Sequence, residues 1–367
     1  MHASELTEQT PAIAADGPRT QSMQAMKSPF VSIVIPSLNC AQEVDACIAA
    51  LHAQDYPESR FEIIVADNGS TDDSAERLKK FGVKVVAQPE RGRSRALNAG
   101  LAAARGGIIL TTDMSCIARP DWVSKIVACF EDPRVGCVGG EIEMIRSHDN
   151  LALRYQARNG YMSPLHAVTR QKIPFLPFAD GANASFRRAV FEEIGGFEES
   201  FFKAADVEIC YRLLVLTNYK ILFCPDCVVE ETGEPGLKAL LRQRYRMGLG
   251  SNLMRVRFPE FYAGGENNKS LKARYWSVRE NLLGLAHFAA SLARGDRPAV
   301  EDAFVRYLMG LAQSLGTRRG VRHLQRQPVQ PTPVDGEHLR AFMAEMDKLD
   351  ERVIMKRVQI SPGNMKA

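Results

Sequence analysis

The chain lacks any run of the 18 or so uncharged apolar residues that a membrane-crossing helix requires. No helical span is expected. It also lacks an excess of either charge: 47 basic residues stand against 43 acidic ones, a formal net charge of +4, so whole-protein electrostatics give no reason to expect nucleic acid as a partner. The first 29 residues lack a basic start followed by an apolar core, which argues against a secretory signal and for a cytoplasmic, reducing setting. Eight cysteines are present but scattered, and only Cys224-Pro225-Asp226-Cys227 has metal-like or redox-like spacing. No second Cys or His pair lies near it in sequence, and a closed zinc site needs four ligands, so a structural role is expected there. There is no internal repeat. No glycine-rich phosphate loop with a lysine follows the first strand, which disfavours nucleotidyl transfer on a similar sheet.

What is present is an alternation of buried strands and helices. Residues 1–29, rich in Ala, Thr, Gln and Ser, read as a disordered leader. From residue 30 to about 250 the chain reads as one α/β domain with a mostly parallel sheet flanked by helices, and 251–367 as a helical extension. VSIVIPSLN (31–39) is a buried strand, followed by Val44, Ile48 and Leu51 at helical spacing. Further strands are expected at 61–66, 83–87 and 108–112, with helices near 74–80 and through 96–105 between them. Such alternation implies parallel strands joined by crossovers. VGCVGGEIEM, from Val135, has the pattern of a strand bent at Gly139-Gly140. Residues 147–178 are poorly patterned and contain three prolines, so they are expected to form an acceptor loop or lid. Helices at 187–194 and 206–216 and a short strand at 221–223 follow, with a Pro-rich joint at 327–333 in the tail. Basic clusters at Arg242–Arg257 and Arg318–Arg326, with apolar stretches at 281–292 and 303–315, make peripheral contact with a membrane surface an expectation.

Two strands run into carboxylates, Asp67 in VADNGSTDD and Asp113 in TTDMSC. Strand ends share one rim of a parallel sheet, and ligands bind there where the strand order reverses. Asp67 beside Asn68 offers an acceptor and amide groups suited to a nucleobase edge. Asp113 suits a divalent cation bridging phosphates, and Arg93 of RGRSRALNAG suits a diphosphate as a planar donor. Each has an ordinary alternative: turn chemistry for Asp67, a cap for Asp113, a solvent-facing side chain for Arg93. Asp206 stands at a helix start, where a carboxylate is favoured whatever its function. If it lines the cleft, it can accept a proton from an attacking hydroxyl.

Together VSIVIPSLN, VADNGSTDD, RSRALNAG with TTDMSCIARPDW, GANASFRRAVFEEIGGF, and AADVEICYRL with RQRYRMGLG resemble glycosyltransferase family 2, inverting nucleotide-sugar transferases with a GT-A fold. The resemblance covers about residues 30 to 250. It implies a UDP-, GDP- or dTDP-sugar donor and a glycan or lipid-linked acceptor, in cell-envelope or exopolysaccharide assembly at the cytoplasmic face of the membrane. It places Pro36, Asp67, Asn68, Arg93 and Asp113 on the nucleotide, Asp206 as the catalytic base, and Asp180, Asn183 and Arg244 on the acceptor or diphosphate side. It also implies Mg²⁺ or Mn²⁺ at Asp113. Three positions depart from the family pattern: Ser115 replaces the second acid of its Asp-x-Asp motif, Ala205 replaces the acid before the catalytic base, and Val229-Glu230-Glu231-Thr232 stands where a histidine commonly follows the late strand. They leave open whether a cation is held by Asp113 with Glu231 as substitute, or replaced by Arg93 and Arg244. The alternative function is a degenerate transferase that binds nucleotide or glycan without turnover beside an active partner.

Overall fold

The computed structural model describes residues 28–145, 150–164, 178–258, 288–326 and 358–360. The leader up to residue 27, the Pro-rich joint and most of the apolar stretch at 281–292 lie outside the described residues. The first half alternates as its periodicity dictates: β1 (Val31–Ser37), α1 (Val44–His52), β2 (Phe61–Asp67), α2 (Ser74–Lys80), β3 (Lys84–Ala87), α3 (Arg93–Ala103) and β4 (Ile108–Thr112). β1 and β4 are apolar on both faces because helices cover both, and almost every residue in them is buried. Then come β5 (Cys116–Ala118), α4 (Trp122–Cys129), β6 (Val135–Met144), α5 (Leu151–Arg158), β7 (Asn183–Arg187), α6 (Arg188–Ile194), α7 (Ala205–Leu216), β8 (Lys220–Glu231), α8 (Leu237–Arg257), α9 (Arg297–Arg326) and β9 (Val358–Ile360).

One sheet carries all nine strands, in the order β3-β2-β1-β4-β7-β6-β8-β5, with β9 on β8. β1 lies parallel to both β2 and β4, so successive crossovers leave it in opposite directions. This reversal opens a crevice at the carboxyl ends of β1 and β4. β7 enters antiparallel between β4 and β6, and β5 antiparallel on β8. The sheet is therefore mostly parallel, as expected, with two antiparallel strands that alternation alone did not announce.

Residues 180–183 form a turn, closed by Asn183 N donating to the Asp180 carbonyl at 2.9 Å, that leads into β7, whose first residue Asn183 pairs with Thr112. Three expectations are corrected. The late strand covers twelve residues rather than three, because β8 continues through a bulge: Cys224 faces Gly140, yet Val228 faces Glu141. β6 bends at this point, and a Cβ on Gly140 would lie 2.2 Å from the Cys227 carbonyl, so only glycine fits. The segment expected as a loop over 147–178 contains α5, capped by Asn150, whose Oδ1 accepts from Leu153 N at 3.1 Å; residues 165–177 lie outside the described residues.

The boundary expected at 250 falls inside α8, which packs along α9 through Gly248, Gly316 and Gly320. A Cβ on Gly316 would stand 2.0 Å from the Tyr245 carbonyl. Arg154 and Arg158 of α5 reach Glu301 and Asp302 of α9 at 2.8 and 2.5 Å, completing a three-helix seam. Beneath it, Glu208 of α7, fully buried, accepts two bonds from Arg212 at 2.8 Å and one from Arg257 of α8 at 3.0 Å. Burying these charges is tolerable because each is paired and hydrogen-bonded. The network fixes α7 against α8.

Candidate active site

β1, β2 and β4 deliver Pro36, Asp67 and Asp113 to the same rim, since they are parallel. Pro36 is half-buried beside Ala66, one residue short of the rim. Asp67 closes β2, and its Oδ1 accepts from Ser70 N at 3.1 Å and Ser70 Oγ at 2.5 Å. Gly69, at φ 78°, makes that turn possible. Asn39 adopts a left-handed conformation and laces the β1 loop to this turn: its Oδ1 accepts from Thr71 N at 2.8 Å, and its N–H donates to Ser70 Oγ at 2.9 Å. The two loops form one wall.

Asn68, expected beside a ligand, is turned inward instead. Its Nδ2 donates to the Gln88 and Glu90 carbonyls at 2.9 and 2.7 Å, and its Oδ1 accepts from Gly92 N at 2.7 Å. It therefore shapes the loop leading to α3. α3 begins at Arg93, three residues earlier than its apolar spacing suggested, so Arg93 projects from a helix start into the crevice. The guanidinium is paired with Asp113 Oδ1 and lies 3.4 Å from the Gly181 carbonyl, and about a third of each partner's side chain is exposed. Burial opposes its charge, but Asp113, Asp206 and Asp180 outweigh burial and raise its pKa.

Topology brings three further acids to Asp113. Asp180 and Gly181 precede β7, which runs antiparallel to β4, so they stand beside the end of β4. Burial, then Asp206 and Asp113, push the Asp180 carboxyl up to about 6, against a hydrogen bond from Ala182 N. Asp206, at the start of α7, accepts from Gly181 N at 3.1 Å and from Val207 N at 3.0 Å. The turn before it is strained: Ala204 sits at φ 65°, a region costly for a residue with a Cβ. α3 holds the approach in place, with Ser94 Oγ donating to the Phe201 carbonyl at 3.0 Å and Asn98 exchanging two bonds of 2.8 Å with the backbone of Phe197.

Glu231 supplies the fourth acid. β5 pairs Cys116 with Glu231, which brings the Ser115 hydroxyl to 3.0 Å from Glu231 Oε1. A carboxylate thus stands beside the position where the sequence has serine. Burial, then Asp113, Asp180 and Glu234, raise its pKa to about 7, against the Ser115 bond. Four carboxyls share this crevice with one arginine. Such an excess of hard oxygen donors fits a divalent cation, with Asp113 and Glu231 as the nearest match to a carboxylate pair.

Two expected site residues lie elsewhere. Asn183 is buried, with Oδ1 accepting from Trp122 Nε1 at 2.9 Å and Nδ2 donating to the Glu141 and Cys227 carbonyls at 2.8 Å, so both of its amide hydrogens are spent within the protein. Arg244 stacks on the Tyr161 ring at 4.7 Å, against α5, and makes no contact with the four acids. Sequence reasoning missed Gly181 and Asn98. Gly181 leaves the space Arg93 fills, a Cβ there falling 3.0 Å from its Nη1, and Asn98 carried no signal beyond its place in the arginine segment.

Residues 32–195 match the family model described as glycosyl transferase family 2. Glycosyltransferase AglE of Haloferax volcanii is 26% identical over 228 residues, which cover 60% of this chain and 73% of AglE. The probable glycosyltransferase YdaM of Bacillus subtilis is 27% identical over 250 residues, covering 63% of this chain and 57% of YdaM, so the chain spans little more than half of that relative. The solved structure of the mannosyltransferase PcManGT from Pyrobaculum calidifontis, in complex with GDP-Man and Mn²⁺, aligns at a TM-score of 0.49 and 20% identity over 92% of this chain and 89% of its own. The chain is thus similar to glycosyl transferase family 2 over residues 32–195, and the two relatives are themselves named as glycosyltransferases, one of them as a probable one.

Proposed function

We propose that the protein moves a sugar, with inversion, from a nucleotide diphosphate donor to a glycan or lipid-linked acceptor in cell-envelope or exopolysaccharide assembly. The observation that carries this reading is the convergence of Arg93, Asp113, Asp180, Asp206 and Glu231 at the carboxyl ends of β1 and β4, with the Asp67 turn at one end. In this reading Asp67 meets the base of a UDP-, GDP- or dTDP-sugar. Asp113 lies toward the ribose and diphosphate, with Arg93 donating to phosphate oxygens. Mg²⁺ or Mn²⁺ held by Asp113 and Glu231 would supply further neutralisation of the diphosphate.

Asp206 acts as the base. Its carboxylate takes the proton of the acceptor hydroxyl as that oxygen attacks the anomeric carbon. The new carbon–oxygen bond forms while the bond to the diphosphate oxygen breaks, and the nucleoside diphosphate leaves with the electron pair. The bond from Gly181 N keeps the carboxylate aimed into the crevice.

Incubation of the full chain with a UDP-, GDP- and dTDP-sugar panel, with and without Mg²⁺ and Mn²⁺, tests the reading. One donor is expected to be consumed, and Asp206→Asn to lower kcat by about 100-fold or more while nucleotide binding persists. If no member is bound or hydrolysed, the transferase reading fails. If Asp206→Asn leaves cellular glycan unchanged, the degenerate reading replaces it; the carboxylate of Glu231 beside Ser115 argues against that outcome.

A further inference from the structure

The Cys224–Cys227 pair lacks a second pair in sequence, but the fold brings a third thiol to it. Cys129 closes α4, and its sulfur, with those of Cys224 and Cys227, forms a group in which all three lie within 4.8 Å of one another. The bulge of β8 makes this possible. Pro225, Asp226 and Cys227 are extra residues between Cys224, opposite Gly140, and Val228, opposite Glu141. They turn the backbone so that two cysteines three positions apart face one point.

Two features of the turn go beyond proximity. The backbone N–H groups of Asp226 and Cys227 lie on the side of the Cys224 sulfur and favour its thiolate, as the surroundings of a metal-bound thiolate do. The cradle is also braced: the Cys227 carbonyl accepts from Asn183 Nδ2 at 2.8 Å, and Asn183 in turn accepts from Trp122 on α4. Cys224 and Cys227 are buried while Cys129 is half-exposed and Asp226 exposed, which gives an ion an entry side. Lys125 of α4 lies within electrostatic reach of Asp226 and Cys227 and offsets part of the negative charge of three thiolates.

We propose that Cys129, Cys224 and Cys227 bind one thiophilic cation of the Zn²⁺ class, with the fourth position met by Asp226 or water on the exposed side. Three thiolates suit a soft or borderline ion, whereas the carboxylates of the donor crevice suit a hard one. The protein would thus hold two metals of different character. The ion would pin the end of α4 to the bulge of β8, the strand that goes on to place Glu231. This site stands on its own residues and does not depend on the donor reading.

The test is metal loading of the full chain under reducing conditions. About one Zn²⁺ per chain is expected to survive dialysis. The Co²⁺ form should show a thiolate-to-metal charge-transfer band in the near ultraviolet. Cys129→Ser and Cys224→Ser should each weaken binding at least about tenfold, while Cys40→Ser should not. In the unaltered protein, Zn²⁺ should slow alkylation of Cys129, mapped by peptide mass, which keeps the test decisive if a variant fails to fold. Substoichiometric zinc, a Co²⁺ spectrum with carboxylate ligation alone, undiminished binding by Cys129→Ser, unprotected Cys129, or a disulfide among the three under reducing conditions would each overturn the proposal.

Discussion

Two residues of the same apparent class, Asn183 and Asp180, stand three positions apart and do opposite work. Asn183 satisfies Trp122 Nε1 and two carbonyls, one from β6 and one from the β8 bulge, with the Trp122 and Cys227 bonds buried. Asn183→Ala is expected to lower stability by about 3 kcal/mol, because three polar groups, two of them in buried bonds, lose their partner. Denaturant unfolding checks this; a folded variant of unchanged stability with weakened donor binding would show that Asn183 serves the ligand after all. Glu231 carries a pH signature. Its carboxyl is pushed from an ordinary 4.5 up to about 7, so the folded state holds the proton more tightly than the unfolded chain. Stability from this group therefore falls as pH rises from about 4.5 to 7 and is lowest above that range. Asp180, pushed from 3.8 to about 6, adds the same sign in a lower window. Mn²⁺ should accordingly raise the melting temperature more at pH 8 than at pH 5.5, and Glu231→Gln should remove most of the difference. An equal effect of Mn²⁺ at both pH values, or an undiminished one in Glu231→Gln, would place the cation elsewhere.

The elements that were legible in the sequence are those whose burial pattern repeats. β1, β2 and β4 are mostly apolar runs, broken early by Ser32 and Glu62 in the first two, that end at polar residues, and their order alone foretold that Asp67 and Asp113 share a rim. β5 is three residues long, and β7 reads NASFR, with polar residues that look solvent-facing although all but Arg187 are buried. β8 is interrupted by Pro225, which ordinarily ends a strand; the bulge that accommodates it is a tertiary feature. These strands decide which acids meet Asp113, so the Ser115–Glu231 contact became visible only when β5 was seen on β8. The helical end of the chain carries its own test. α9 exposes Phe304, Tyr307, Leu311 and Leu315 at spacings of three and four, one face of a helix, and Arg318, Arg319 and Arg322 follow. Peripheral binding to vesicles containing anionic lipid is expected, falling as salt rises, and Leu311→Glu with Leu315→Glu should weaken it severalfold. Sedimentation with vesicles measures it; no binding at low salt would remove the membrane from the account.

At the scale of the molecule, one nine-stranded sheet connects the two chemistries: a carboxylate-lined crevice at the β1–β4 reversal and a thiol cluster where α4 meets β8. Among the described residues no helix is long and apolar enough to cross a membrane. α8 packs on α7, the helix that presents Asp206, and α7's buried Glu208 is tied to Arg257 of α8. The Asp206 end of the crevice is therefore braced by α8. We propose that this crevice is a nucleoside diphosphate site completed by Glu231. Calorimetric titration of UDP, GDP and dTDP into the full chain, with and without Mn²⁺, tests it most directly. One of the three should bind at one site per chain and bind more tightly with Mn²⁺, and Glu231→Gln should lose that enhancement. Absence of binding by all three with and without the cation would contradict the account.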